Sequence, residues 1–302
     1  MLRTFQIVIK QVSRTMSQEV HSLRNKSWAA VCQITANNNC NHNKDLCTGL
    51  IEEAAEKGAE IVFLPECFDF VPFEKTDSRD LAEPLDGPTI SHYKELACEK
   101  KVWLSLGGFH EKIPDQHQVH MSHILIDSLG EVRSVYRKTH LFKVDIPGEV
   151  SLNEHDTVLA GNQILPPVRT PIGNLGLQIC YDLRFPELSL VQRQQGAHVL
   201  TFPSAFTQKT GTAHWHVLLR ARAVENQCYV IAAAQTGVHS SRRSSYGHAL
   251  AVDPWGTVIG ECGEGNGFCL VPIDLDVVER VRERMPVSAH RRYDLYNPPI
   301  KE

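Results

Sequence analysis

Three short segments carry side chains able to attack an unreactive bond. In LQICYDLRFPE, Cys180 closes a strand-like run just before a turn into a helix that starts near Pro186. An elbow of that kind presents its side chain at a sheet edge with backbone N–H groups beside it, a setting that can lower a thiol pKa and hold an oxyanion. In FLPECF, Glu66 follows Pro65 at the end of a buried strand. A carboxylate there must be paired or functional, because an isolated buried charge is very costly. In VYRKTHLF, Lys138 follows another strand-like run. Singly, each has a plainer reading: an ion-pair partner, a core cysteine, and a solvated basic edge beside Arg137. In order they form one pattern, LPE, then RKxHL about seventy residues on, then CYDxRFPE about forty further.

The elements that must position these residues repeat. KGAEIVFLPECF (57–68) is matched by QGAHVLTFPSAF (195–206), VWLSLGGFH (102–110) by YVIAAAQTG (229–237), and SHILIDSLGEV (122–132) by GHALAVDPWGTV (247–258). Asp127 and Asp253 share an offset of 126 with Gly130 and Gly256, whereas the first pair of segments is offset by 138. The first half therefore carries a longer loop, expected around residues 70–84. Upstream, WAAVCQI (28–34) and LGLQICYD (175–182) are both strand-like runs that lead into helical stretches. Each half reads strand, helix, strand, helix, then strands joined by a D-x-x-G turn.

Apolar periodicity predicts a helix over 44–57 with Gly58 as its stop, a counterpart from Pro186 to Gly196, and a third helix over 213–226 through Trp215, Leu218, Leu219 and Ala223. Continuous apolar runs such as AEIVFL and HVLTF suit strands buried on both faces. Two like sheet units with helices outside give an α/β fold, a four-layer αββα sandwich with a pseudo-two-fold axis. No Pro/Gly/Ser-rich linker divides the halves, so residues 27–302 are read as one domain.

The ordered Glu, Lys and Cys segments resemble the nitrilase-like carbon–nitrogen hydrolase superfamily over about residues 28–296. That resemblance implies the same αββα sandwich, a homodimer, and a triad of Glu66 as general base, Lys138 as cationic stabiliser and Cys180 as nucleophile. A second, supporting glutamate falls at Glu154, with Glu149 as the nearby competitor. The implied chemistry is amide hydrolysis. A thiolate attacks a carbonyl more readily than water does, and Glu66 takes the thiol proton and returns it to the leaving amine. Lys138 and the backbone N–H of Tyr181 stabilise the tetrahedral oxyanion. Ammonia departs, and Glu66 activates water to release the acid from a Cys180 thioester.

Further segments, LSLGGFHE (104–111), LFxVDIPGE (141–149), PSAFTxxTGxAHW (203–215) and HRRYDLY (290–296) among them, are similar to the branch that hydrolyses the amide of deaminated glutathione to 2-oxoglutarate and cysteinylglycine. An ω-amidase acting on 2-oxoglutaramate or 2-oxosuccinamate is the alternative, and a non-catalytic interaction protein is a reading of a different class. In this branch AHW is usually followed by Glu, whereas this chain has His216. A 2-oxo acid amide wants cationic partners, and Arg184, Arg242, Arg243 and His248, with Tyr181, are the candidate contacts. No H-x-H-x-H segment of a Fhit-type unit occurs.

A Cys–His pairing through His140 is the rival mechanism, carried only by proximity to the shared motif. His214-x-His216 lies in a helical pattern whose i, i+2 spacing turns the rings to different faces, so neither a metal nor another cofactor is expected.

Bulk properties narrow the rest. The 302 residues are 42% hydrophobic and 22% charged with a formal net charge of -4, which offers no footprint for nucleic acid or a membrane surface. Nine scattered cysteines include no C-x-x-C pair, which predicts neither a zinc knuckle nor a disulfide framework and fits a reducing compartment. Before residue 27, Arg3, Lys10, Arg14, Arg24 and Lys26 meet only one acid, Glu19. Residues 1–26 thus read as a mitochondrial presequence or a disordered tail, with Met16 as an alternative start and both mitochondrion and cytoplasm as destinations.

Overall fold

The computed structural model describes residues 26–146, 150–241 and 243–296. Strand β1 (Ser27–Ile34), helix α1 (Cys40–Glu56), β2 (Ile61–Glu66), the short α2 (Asp77–Asp80), α3 (Pro88–Lys100), β3 (Trp103–Lys112), β4 (Val119–Ile126) and β5 (Val132–Arg137) form the first half. A hairpin of β6 (Lys143–Ile146) and β7 (Val150–Asn153) follows. The second half contains β8 (Val168–Thr170), β9 (Gly173–Leu177), α4 (Pro186–Gln194), β10 (Val199–Thr201), α5 (Gln208–Asn226) and β11 (Tyr229–Ala232). It continues through β12 (Ala234–Ser240), β13 (Arg243–Tyr246), β14 (Leu250–Val252), β15 (Val258–Glu261), β16 (Gly267–Ile273) and α6 (Leu275–Arg284).

The repeat in the sequence is a repeat in space. β1, β2 and β3 pair in parallel and β4 and β5 add antiparallel, while β9, β10, β11, β14 and β15 do the same in the second sheet. The two D-x-x-G turns are made alike. Asp127 Oδ1 accepts from the N–H groups of Leu129 and Glu131, and Asp253 Oδ1 from those of Trp255 and Thr257. Gly130 and Gly256 take φ of 79° and 89°, the left-handed region these turns need.

The helices pack on the outer faces, α1 and α3 on the first sheet and α4 and α5 on the second, giving the αββα sandwich. After β11 the chain passes through Ala233 into β12, which joins the first sheet beside β1, and β16 pairs along β1 as well. Second-half strands thus complete the first-half sheet. The inner strands are buried on both faces: every residue of β2 and β10 is buried.

Helix ends differ from the periodicity by about a turn, because caps set them. α1 starts at Cys40, where the Asn39 side chain accepts from the His42 N–H, and α5 starts at Gln208, where Thr207 accepts from Thr210. The longer first-half loop lies between β2 and α3 and holds α2. No helix among the described residues is long and apolar enough to cross a membrane.

Candidate active site

Glu66 ends β2, Lys138 follows β5 directly, and Cys180 opens a 3-10 turn (Cys180–Arg184) just past β9. The fold brings these ends together. Lys138 Nζ lies 2.9 Å from Glu66 Oε1 and 2.9 and 2.8 Å from the two oxygens of Glu154. Lys138 and Glu66 are almost wholly buried, with side chains 0% and 3% exposed. Glu66 Oε2 accepts from the Ala205 N–H at 3.0 Å, so the first half's carboxylate is anchored to the second half's backbone. Glu154 also accepts from the Phe142 N–H at 2.7 Å. Its competitor Glu149 lies outside the described residues, as do Arg242 and residues 1–25 with Met16.

The charges decide each group's resting state. Burial pushes the Glu66 carboxyl up, but Lys138 and a hydrogen bond from the Cys180 thiol outweigh it and hold it below its ordinary value. Burial would discharge Lys138, yet Glu154 and Glu66 keep it well above its ordinary value. For Cys180, burial and the Glu66 charge push the thiol well up, against the opposing pull of Lys138. At neutral pH the cluster therefore holds the Glu66 carboxylate, the Lys138 ammonium and a neutral Cys180 thiol. The sulfur needs a base at the moment of attack, and Glu66 is the carboxylate its proton faces.

The elbow itself is strained. Cys180 has φ of 45°, a left-handed conformation costing about 1–3 kcal/mol for a residue with a Cβ. The Cys180 N–H donates to the Pro203 carbonyl at 3.0 Å, tying the elbow to the end of β10. Asp182, fully buried, holds the other side. It accepts from the Ile179 N–H (2.9 Å), Tyr136 Oη (2.8 Å), Thr139 Oγ1 (3.2 Å), the His140 N–H (3.1 Å) and His140 Nδ1 (2.7 Å). One carboxylate thus clamps the Cys180 elbow to the segment that carries Lys138. Asp182 is not among the candidates the motifs single out; its one signal in the sequence is an acid at an apolar strand end.

A second buried acid, Asp69, sits three residues after Glu66 and receives the His110 N–H and Nδ1 at 2.8 and 3.0 Å. Burial lowers the His110 pKa but Asp69 more than restores it, to about 10, so this histidine is an imidazolium. Phe70 stacks on its ring at 4.0 Å. Glycine makes the close approach possible: a Cβ on Gly107 would strike Pro203 and the Leu64 carbonyl, and one on Gly108 would come 2.8 Å from Glu66 Cα.

The remaining candidates fall in different places. His140 is committed to Asp182 and stacks on Phe185 at 3.7 Å; among the described residues no hydrogen bond joins it to Cys180, so the Cys–His pairing lacks its central contact. The Tyr181 ring meets Phe142 and Phe185 edge-on. Arg184 lies over the Tyr181 and Phe206 rings and reaches His214 Nδ1 at 3.2 Å. The Arg243 charge contributes to lowering Glu66. His248 Nδ1 lies 2.6 Å from Glu261 Oε1, the turn after β13 aiming the ring toward the end of β15. His214 and His216 do face different neighbours, and His216 meets the same Glu261 at 3.0 Å.

Comparison with known proteins gives this geometry its class. The carbon-nitrogen hydrolase family model matches residues 28–283, and the chain belongs to that family. Among particular proteins, it is 49% identical over 98% of its length to the deaminated glutathione amidase of Mus musculus, covering 92% of that protein. It is 51% identical over 96% of its length to the nitrilase and fragile histidine triad fusion protein NitFhit of Caenorhabditis elegans, of which it spans 64%. The crystal structure of the C. elegans NitFhit protein superposes with a TM-score of 0.88 at 52% identity, over 92% of this chain and 68% of that one. A glutamate-to-glutamine mutant of a more distant amidase, from Nesterenkonia sp. AN1 (TM-score 0.74, 25% identity, 91% of this chain and 97% of that one), was solved with the acetamide moiety of fluoroacetamide added covalently at its active-site cysteine.

Proposed function

We propose that this protein hydrolyses the amide of deaminated glutathione to 2-oxoglutarate and cysteinylglycine through a thioester on Cys180. The observation that carries the chemistry is the buried Lys138 ammonium held between Glu66 and Glu154, beside a neutral Cys180 thiol. The substrate rests on the likeness to the mouse amidase over nearly the whole chain.

The steps follow from the charges. As Cys180 Sγ bonds to the amide carbon, its proton passes to Glu66. The oxygen that becomes negative is met by Lys138 and the Tyr181 N–H. Glu66 then gives its proton to the departing nitrogen, and the C–N bond breaks to leave the acyl group on sulfur. With this substrate the leaving group is the amino group of cysteinylglycine, not the ammonia expected of a primary amide. Glu66 next takes a proton from water, whose oxygen attacks the thioester and frees both the acid and the thiol. Glu154 keeps Lys138 charged and in place throughout. Arg184 and Arg243 supply the positive charge for the substrate's carboxylates.

The test is turnover of deaminated glutathione against 2-oxoglutaramate, together with mass spectrometry of the Cys180 peptide during the reaction. A higher kcat/KM for deaminated glutathione is expected. The reverse ranking assigns the chain to the ω-amidase reaction, and no acyl adduct with any 2-oxo amide returns it to the interaction-protein reading. Arg184→Ala and Arg243→Ala should raise KM; unchanged values remove these residues from the substrate site. The same proposal includes a homodimer, measured by light scattering. It also places one form in the mitochondrion through the basic N-terminus and one, started at Met16, in the cytoplasm, checked by imaging each form.

A further inference from the structure

We propose that His216, His248 and Glu261 form a binding site for a divalent transition-metal ion, with Zn2+ the best-suited occupant. The three come from separate elements: His216 from α5, His248 from the turn between β13 and β14, and Glu261 from the end of β15. Their donor atoms, one from each residue, all lie within 4.8 Å of one another, the only such trio of His, Cys, Asp and Glu among the described residues. Glu261 Oε1 is 3.0 Å from His216 Nε2 and 2.6 Å from His248 Nδ1. Ligand atoms about 2.0–2.2 Å from a tetrahedral zinc stand roughly 3.3–3.6 Å from each other, so the two Glu261 contacts must open by about 0.3–1 Å to admit an ion.

The surroundings hold the donors in that relation. The two imidazole planes cross at 67°, which lets their nitrogens converge on the carboxylate instead of lying side by side. The Trp215 indole N–H donates to the His248 carbonyl at 2.7 Å, binding the turn to the helix that carries His216. Tyr246 packs against the His248 ring at 4.4 Å and meets His216 edge-on. His248 has φ of 58°, so a backbone conformation rarely adopted with a side chain is what aims this ring at Glu261.

The donor set selects the ion. Two imidazole nitrogens and one carboxylate oxygen suit zinc and its neighbours, whereas magnesium and calcium prefer oxygen alone. Side chains 34%, 42% and 33% exposed leave room for water to complete the coordination shell, so the site would exchange its ion with solvent. Binding puts the ion where the imidazoles now direct N–H groups at Glu261, and each neutral ring keeps its one proton on the nitrogen that faces away. His216 is the residue that departs from the expected AHW-Glu pattern, and it brings the second imidazole.

Equilibrium dialysis of the full chain against Zn2+, repeated with Co2+ as a spectroscopic probe, tests this. Nine free cysteines are competing sites, so the cobalt spectrum matters: nitrogen and oxygen donors give visible d–d bands without thiolate charge transfer. One ion per chain is expected. His216→Ala and Glu261→Ala should each weaken it at least about a hundredfold, beyond the 10–100-fold that outer-shell changes cause. His42→Ala, on the exposed face of α1, should leave it unchanged. No bound ion, a thiolate spectrum, or equal affinity in His216→Ala and Glu261→Ala with their far-UV spectra intact overturns the proposal. Because the readout is binding, a wrong substrate assignment would not disturb it.

Discussion

The segment at Pro65–Glu66 and its counterpart at Pro203–Ser204 hold matching places in the two halves and carry different chemistry. Ile61 of β2 lies opposite Ala29, and Val199 of β10 lies opposite Leu175. Counting along β1 and β9 from those partners, Cys180 matches Ile34. One half therefore supplies the carboxylate and the other the sulfur, while the pseudo-symmetric positions, Ser204 and Ile34, hold a hydroxyl bonded to the Phe202 carbonyl and a buried hydrocarbon. Duplication gives the same scaffold twice, and the working site arises where the copies differ. Lys138 and Glu154 reinforce the point, since both lie in the connection between the halves, which has no duplicate.

The comparison breaks most readily at sulfur. Cys180→Ala should lower amide turnover by on the order of 10^4-fold or more while leaving the thermal midpoint nearly unchanged, as steady-state kinetics and calorimetry would establish. Glu66→Gln keeps the shape and removes the base, so kcat should fall roughly 10^2–10^4-fold. The same change removes a negative charge that raises the thiol pKa, so the pH midpoint of Cys180 alkylation by iodoacetamide should move down. A midpoint moving up would contradict the charge assignment.

Asp182→Asn leaves one acceptor oxygen where two served five donors, and turns an NH2 toward at least two of them. We expect a loss of about 2–4 kcal/mol in urea denaturation and a kcat roughly 10–100-fold lower. The smallest effect sharpens the comparison. Ser204→Ala, at the mate of Glu66, should cost about 1 kcal/mol of stability and change kcat less than about twofold. A large loss of activity there would mean that both strand ends do chemistry.

Much of this was legible because it is local. Repeated Gly-Ala, strand, Pro, Phe segments and D-x-x-G turns disclose the halves, and buried strand ends make Glu66 and Cys180 conspicuous. Lys138 and Glu154 required the family resemblance, because a lysine beside an arginine and one glutamate of two look ordinary before the fold buries them. The crossing of the chain from β11 into β12 was not legible, since two strands separated by Ala233 read as one apolar run. Nor was the meeting of His216 with His248 and Glu261, which depends on how a helix, a turn and a strand end are packed and not on any spacing along the chain. The clamping roles of Asp182 and Asp69 were hidden for the same reason: most of their partners are distant in sequence, and only three-dimensional closure brings them together.

The hydrogen bond from the Ala205 N–H to Glu66 Oε2 has a use beyond holding the base. It makes one backbone amide a resident observer of the reaction. Its proton resonance should shift whenever Glu66 gains or loses a proton, so an isotope-labelled Ala205 would report the charge of the base step by step. Its exchange with deuterated solvent would time how often the two halves separate.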